Sequence, residues 1–191
     1  MKSINLTLCQ TFGELLSYPN ERIKSSTSNC GRTLTQSDPC AAAALAGFID
    51  FIERQNLPQI EEVFTSTFDL QALSYPYVGY QLCGESQART MFLMKLQELY
   101  RTQKFSCGTE LPDHLSVMLR FIGSVDDLGV SLWIIEIIVD ALLPALEKII
   151  QGIEKQDHPY RNLLNALQIY LTNRVETELP ETEWQEELSH G

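Results

Sequence analysis

Apolar residues recur every three or four positions along most of this chain, and no run alternates regularly enough for a β-strand. Leu6 to Ser17 reads as a first helix, stopped by Tyr18-Pro19-Asn20. Asp38 followed by Pro39 is a start signal, with a side-chain cap and then a residue that needs no amide hydrogen. The helix it opens runs through four alanines to near Asn56. Leu57-Pro58 begins another, ending about Asp69. Tyr75 to Leu82 is a short aromatic element between Pro76 and Gly84. Ser86 to Gln103 is amphipathic, with Met91, Met94, Leu96, Leu99 and Tyr100 expected to face inward. Pro112 is expected to start a helix to about Gly123. A long apolar helix follows from Asp126 to Glu154, with a kink expected at Pro144. His158-Pro159 breaks it, and Tyr160 to Val175 forms the last helix.

Two stretches carry weaker periodicity. Residues 23–39 are rich in Ser, Thr and Asn and read as a flexible loop. From Glu176 onward, Glu178, Glu181, Glu183, Glu186 and Glu187 crowd an acidic tail that reads as solvated and disordered. The expectation is an all-α, single-domain helical bundle of about seven or eight helices over residues 1–175, with a tail over 176–191.

The segment 130–150, VSLWIIEIIVDALLPALEKII, is nearly as long as a membrane span. Its interruptions at Glu136, Asp140, Pro144, Glu147 and Gln151 fall on one helical stripe, and carboxylates are costly in lipid. A helix of a soluble domain is expected, with no stable membrane insertion. Net charge is −11, which argues against nucleic acid and anionic lipid and favours a basic partner. The five cysteines, Cys9, Cys30, Cys40, Cys83 and Cys107, are widely spaced with no Cys-x-x-Cys. Met1 to Asn5 opens no apolar leader run, so reduced cysteines in a cytoplasmic protein are expected.

Catalytic kits are missing. The histidines are His114, His158 and His190. None sits in a metal-binding pair, and no nucleophile elbow or glycine-rich phosphate loop is present. The chain reads as a non-enzyme with no cofactor and no metal. Glu110-Leu-Pro-Asp-His-Leu115 is the densest polar cluster. Helix capping and the helix dipole account for its acids and proline, but not for His114 beside Asp113. Tyr77 and Tyr80 are three apart, which suits either core packing or the wall of a groove.

These residues resemble the nitrate reductase delta subunit family, the NarJ-type assembly chaperones of molybdenum enzymes, related to the TorD/DmsD-like redox enzyme maturation proteins. The matching pieces are Leu15-Leu-Ser-Tyr-Pro19, Phe64-Thr-Ser-Thr-Phe-Asp-Leu70 and Tyr77-Val-Gly-Tyr-Gln-Leu82 with Gly84-Glu85. Leu96-Gln-Glu-Leu-Tyr100, Glu110 to Leu115, Leu119-Arg-Phe121, Leu143-Pro-Ala-Leu146 and His158-Pro-Tyr160 follow in order. The pattern departs at residues 23–39, which lack an acidic, Leu-rich helix. It also departs at Gly84-Glu-Ser86, which stands where the family often has Gly-Asp-x-Arg, with Arg89 close behind.

The resemblance implies an all-helical fold and a system-specific cytoplasmic chaperone. Its partner would be the molybdenum-containing catalytic subunit of a nitrate reductase-type enzyme, held through a basic, amphipathic N-terminal segment for molybdenum cofactor insertion and assembly. On that reading Tyr77, Tyr80, Leu115 and Met118 form an apolar wall. Asp69, Glu110 and Asp113 meet basic groups, and His114 confers pH sensitivity near neutrality. A monomer or a helix-swapped dimer is compatible. The alternatives are a chaperone for a related molybdoenzyme (nitrite-oxidising, selenate, chlorate or hydrocarbon dehydrogenase), a small-molecule-binding helical regulator, and, last, an enzyme using His114 with Asp113.

Overall fold

The computed structural model describes residues 5–125 and 132–178. Within them the chain forms α1 (Leu6–Leu15), α2 (Ile23–Ser37), α3 (Pro39–Arg54), α4 (Leu57–Phe68), α5 (Val78–Cys83), α6 (Gln87–Thr102), α7 (Leu115–Ser124), α8 (Leu132–Ile137), α9 (Leu143–Gly152) and α10 (Pro159–Glu178). The fold is all-α, as the periodicity predicts. Among the described residues the β-type pairing is an isolated antiparallel bridge between Tyr77 and His114.

Local capping explains most helix starts. Asn5 accepts from the Leu8 amide at 3.3 Å. Asp38 accepts from Ala41 at 3.2 Å with Pro39 in the first turn. Asn56 and Gln59 satisfy each other's backbone amides at 3.1 and 3.0 Å in a capping box. Ser86 caps α6 through the Arg89 amide at 3.3 Å.

Three expectations are corrected. Residues 23–39 do not form a flexible loop; all but the last two belong to α2. Its hydroxyls turn back onto their own helix, Thr27 to the Ile23 carbonyl at 2.7 Å and Thr35 to Gly31 at 2.8 Å. Ile23, Thr27, Cys30, Gly31 and Leu34 make a buried stripe. The helix expected at Pro112 begins three residues later, because His114 is its cap. Met91 and Met94 on α6 are exposed; Leu96 and Tyr100 carry the inward face.

Between α8 and α9 the chain makes a π turn over Ile138–Leu142, with the Leu143 amide reaching back to Ile138. Pro144 has no amide hydrogen and its ring crowds the carbonyl four residues earlier. The widened turn, beside the position where a kink is expected, relieves both. Residues 126–131, the expected start of that helix, lie outside the described residues. So does the tail from residue 179 with His190, although α10 takes in residues 176–178. None of the described helices is long and apolar enough to cross a membrane.

α1 packs on α7, and α3 on α10 and α2. Gly13 and Gly123 let α1 and α7 approach: a Cβ on Gly13 would sit 2.7 Å from Arg120 Cγ, and one on Gly123 would sit 2.6 Å from the Gln10 amide nitrogen. Tyr160, at the start of α10, is fully buried against Phe48, Phe64 and Phe68, with ring centres 5.2–5.6 Å away. His158 is half-buried and lies 3.3 Å from Thr67 Oγ1 on α4. The Tyr170 hydroxyl takes the Asn5 amide at 2.8 Å and donates to the Asn5 carbonyl at 3.2 Å, tying α10 to the start of α1.

Candidate functional site

Two loops meet beside the end of α1. The segment 76–78 leads into α5 and the segment 113–115 leads into α7. Val78 donates its amide to the Asp113 carbonyl and Leu115 donates to the Pro76 carbonyl, each at 2.8 Å. That pairing sets the His114 ring edge-on to Tyr77, with ring centres 5.3 Å apart at 83°.

Beneath the bridge lies a buried ion pair. Arg89 Nε donates to Asp113 Oδ2 at 2.9 Å, and Arg89 also pairs with the exposed Glu85. The Arg89 guanidinium lies over the Tyr77 and Tyr80 rings, 5.5 and 5.7 Å from their centres. Gly79 leaves the room: a Cβ there would meet Asp113 Oδ2 and Phe92 Cδ1, both at 2.9 Å. Tyr100 fixes the same loop from α6, its hydroxyl donating to the Pro112 carbonyl at 2.8 Å.

His114 caps α7 with its ring. Nδ1 accepts from the Ser116 amide at 3.2 Å and lies 2.7 Å from Ser116 Oγ. Accepting from an amide requires an unprotonated Nδ1, which assigns the remaining proton to Nε2. Burial, reinforced by the Arg120 charge, pushes the His114 pKa down to about 4. The expected pH sensitivity near neutrality is therefore corrected: this imidazole is neutral at pH 7. His114 and Ser116 do not form a nucleophile and base, because so weak a base gains little from the hydroxyl and Ser116 is buried on its own helix. Asp113 turns to Arg89 and does not pair with His114.

Above the bridge opens a cleft of about 150 Å³, lined by Ser17, Tyr18, Phe64, Phe68, Asp69, Tyr77, Glu110, His114 and Ser116. Tyr18 stands edge-on to Phe64 at 5.7 Å. Asp69 and Glu110 are exposed. Partial burial, then the charges of Glu110, Asp113 and Asp69, raise the Tyr77 pKa, so its phenol stays protonated. Tyr18 also borders an open trough of about 420 Å³ with Pro58, Glu61, Glu62, Thr65, Ser66 and Leu70. An aromatic surface edged by carboxylates can hold a basic side chain by charge and its aliphatic stem by contact.

The cleft brings together Asp69, Tyr77, Glu110 and His114 of the predicted contact residues. Tyr80 lies outside it, half-buried and edge-on to Tyr75 at 5.4 Å. The remaining three need correction as surface groups. Leu115 and Asp113 are fully buried and Met118 is 1% exposed. Leu115 and Met118 face the core from α7, and Asp113, just before its cap, is spent on Arg89. The periodicity reading missed Ser17, Tyr18, Phe64, Phe68 and Ser116. Most of them lie in Leu15–Pro19 and Phe64–Leu70, two of the pieces that carry the resemblance.

The nitrate reductase delta subunit model matches residues 35–132, just over half of the chain. This chain belongs to that family. The match contains both halves of the Tyr77–His114 bridge, the Arg89–Asp113 pair and Glu110, while Ser17 and Tyr18 join the cleft from outside it. The fold also matches a crystal structure from Archaeoglobus fulgidus with the provisional description of redox enzyme maturation protein. The two are 17% identical, with a TM-score of 0.59 over 88% of this chain and 94% of that one. No curated protein matches the chain. Membership in the delta subunit family implies a molybdoenzyme maturation chaperone and not a catalyst.

Proposed function

We propose that this delta subunit family member is a cytoplasmic chaperone for a nitrate reductase-type molybdoenzyme. It binds the N-terminal segment of the catalytic subunit and holds that subunit open for molybdenum cofactor insertion. One observation carries the reading: Asp69 and Glu110 flank an aromatic cleft at Tyr77, which continues past Tyr18 into an open trough edged by Glu61 and Glu62. Such a surface suits an amphipathic, basic segment laid across several subsites. Exposed Leu70, Leu73, Tyr75 and Leu111 add apolar area. A net charge of −11 speeds encounter with a basic client.

A small-molecule regulator is less well supported. The cleft holds about 150 Å³, below the roughly 300–1,000 Å³ of ligand pockets, and its neighbour is open.

Calorimetric titration with the client's N-terminal segment tests the proposal. Tyr77→Ala, and separately Asp69→Asn with Glu110→Gln, should each weaken binding about tenfold, with the charge effect shrinking as salt rises. The positions are partly or fully exposed, so melting temperature should change little. Wild-type affinity in both variants would overturn the assignment.

A further inference from the structure

Ser17 also lines a second cavity, which Tyr77 does not reach. This space of about 230 Å³ lies between the end of α1, the turn into α2, and α7. Its polar lining is opposite in character to the first cleft: Arg22, Arg120, Asn20, Ser26 and Ser17, with Glu14 the one carboxylate among the described residues.

Neither arginine forms an ion pair among the described residues; those ion pairs go to Arg54, Arg89, Arg101, Lys155 and Arg174. Arg120 is half-buried and anchored, its Nε donating to the Ser116 carbonyl at 3.3 Å. Its charge is felt at His114, one contributor to the lowered pKa there. Asn20 accepts the Arg22 amide through Oδ1 at 2.9 Å, so its amide group remains as a donor. α2 starts at this cavity without a side-chain cap and with no acid in its first turn. The opposing Glu14 is exposed and accepts from Gln10.

The cavity thus sets two guanidinium groups against one carboxylate among the described residues, on a chain whose net charge is −11. Guanidinium groups with free donors recognise planar or tetrahedral oxyanions through charge-assisted hydrogen bonds. An extended segment advances roughly 3.3 Å per residue, so one lying across Ser17 reaches both cavities within a few residues.

We infer that this second cavity is an oxyanion subsite, and that it takes an acidic side chain of the same client segment whose basic group enters the Asp69–Glu110 cleft. The oxyanion site stands on the cavity and its arginines; the identity of its occupant rests on the proposed function. Together the two cavities give the groove a polarity, so a segment is accepted in one direction only.

The site is tested without any client. The full chain is titrated with sodium acetate, and in parallel with inorganic phosphate, at constant ionic strength. The arginine Nε–Hε signals and the backbone amides of residues 20–26 are followed by nuclear magnetic resonance. Saturable shifts at Arg22 and Arg120 are expected, weakened about tenfold by Arg22→Gln or Arg120→Gln and unchanged by Lys95→Gln. Arg22 is exposed, so its variant keeps the fold if Arg120→Gln does not. Linear, unsaturable shifts, or the same curves in the Arg22 variant, would overturn the site. Phosphate binding more than about a hundredfold tighter than acetate would reassign it to phosphate compounds.

The occupant is tested by replacing the acidic residues of the client segment with amides. Affinity should fall for the wild-type chain and not for Arg22→Gln. Equal losses on both chains would remove the acidic side chain as occupant. A segment that binds neither chain would remove the proposed function along with the occupant, while the acetate result still decides the site.

Discussion

Arg89 on α6 and Asp113 before α7 are 24 positions apart, yet their side chains meet at 2.9 Å with Asp113 fully buried. The pair ties α6 to the segment before α7, one side of the bridge that sets Tyr77 against His114. It supports the cleft from below and is hidden from any partner.

Breaking that pair should unfold the chain more readily. Asp113→Ala leaves the Arg89 charge buried with only exposed Glu85 to balance it, and should cost about 3–5 kcal/mol in urea denaturation. The combined Arg89→Met and Asp113→Leu exchange should cost less than Asp113→Ala alone. Additive losses would show that the two residues act independently.

Gly79→Ala tests the same region without altering charge. A helix ordinarily gains up to about 1 kcal/mol from this exchange. Here the new methyl would press on Asp113 and Phe92 at 2.9 Å and on Arg89 Cγ at 3.2 Å. A net loss of about 1–2 kcal/mol is expected, as a lower urea midpoint with an unchanged slope. A stabilised variant would mean the pair yields easily.

His114 should make the fold acid-sensitive. Its folded pKa of about 4 lies below the ordinary 6.5, so the unfolded chain takes up a proton that the folded chain refuses. No stability is lost to this group above pH 6.5. Below that, it is lost progressively down to about pH 4, at no more than about 1.4 kcal/mol per pH unit. His114→Asn keeps a capping acceptor and removes the titration, so its melting temperature should fall less than the wild type's between pH 7 and 5. Parallel curves would refute the role of His114.

Thiol reactivity should divide the cysteines. Burial pushes Cys9 and Cys30 up to about 12, while Cys40 and Cys83 are exposed. A thiol reagent at pH 8 should modify Cys40 and Cys83 quickly, and Cys9 and Cys30 only on unfolding. Rapid loss of Cys9 or Cys30, read by mass spectrometry, would show that α1 or α2 opens in the native state.

The helical fold was legible because period and caps agree, most plainly at Asp38-Pro39 and Asn56-Leu57-Pro58. α2 was obscured by its Ser and Thr content, which suits loops by propensity. Its buried stripe at Ile23, Thr27, Cys30 and Leu34 keeps the helical spacing and was the missed signal. The acidic rim of the cleft was legible too, since Asp69 and Glu110 have no core role. The fates of Asp113, Leu115 and Met118 were not, because they depend on Arg89 and on α1, both remote in sequence. Tyr18 and Ser17 reach the cleft only through the packing of α1 on α7, which periodicity does not encode.

Tyr160 has one further consequence, for the order in which the chain matures on the ribosome. It backs Phe64 and Phe68, the apolar wall of the cleft, and it belongs to α10, the last of the described helices. A nascent chain that has emerged only as far as α9 has that wall without its support. On the proposed function, a client segment therefore meets a firm wall only after α10 has docked behind it.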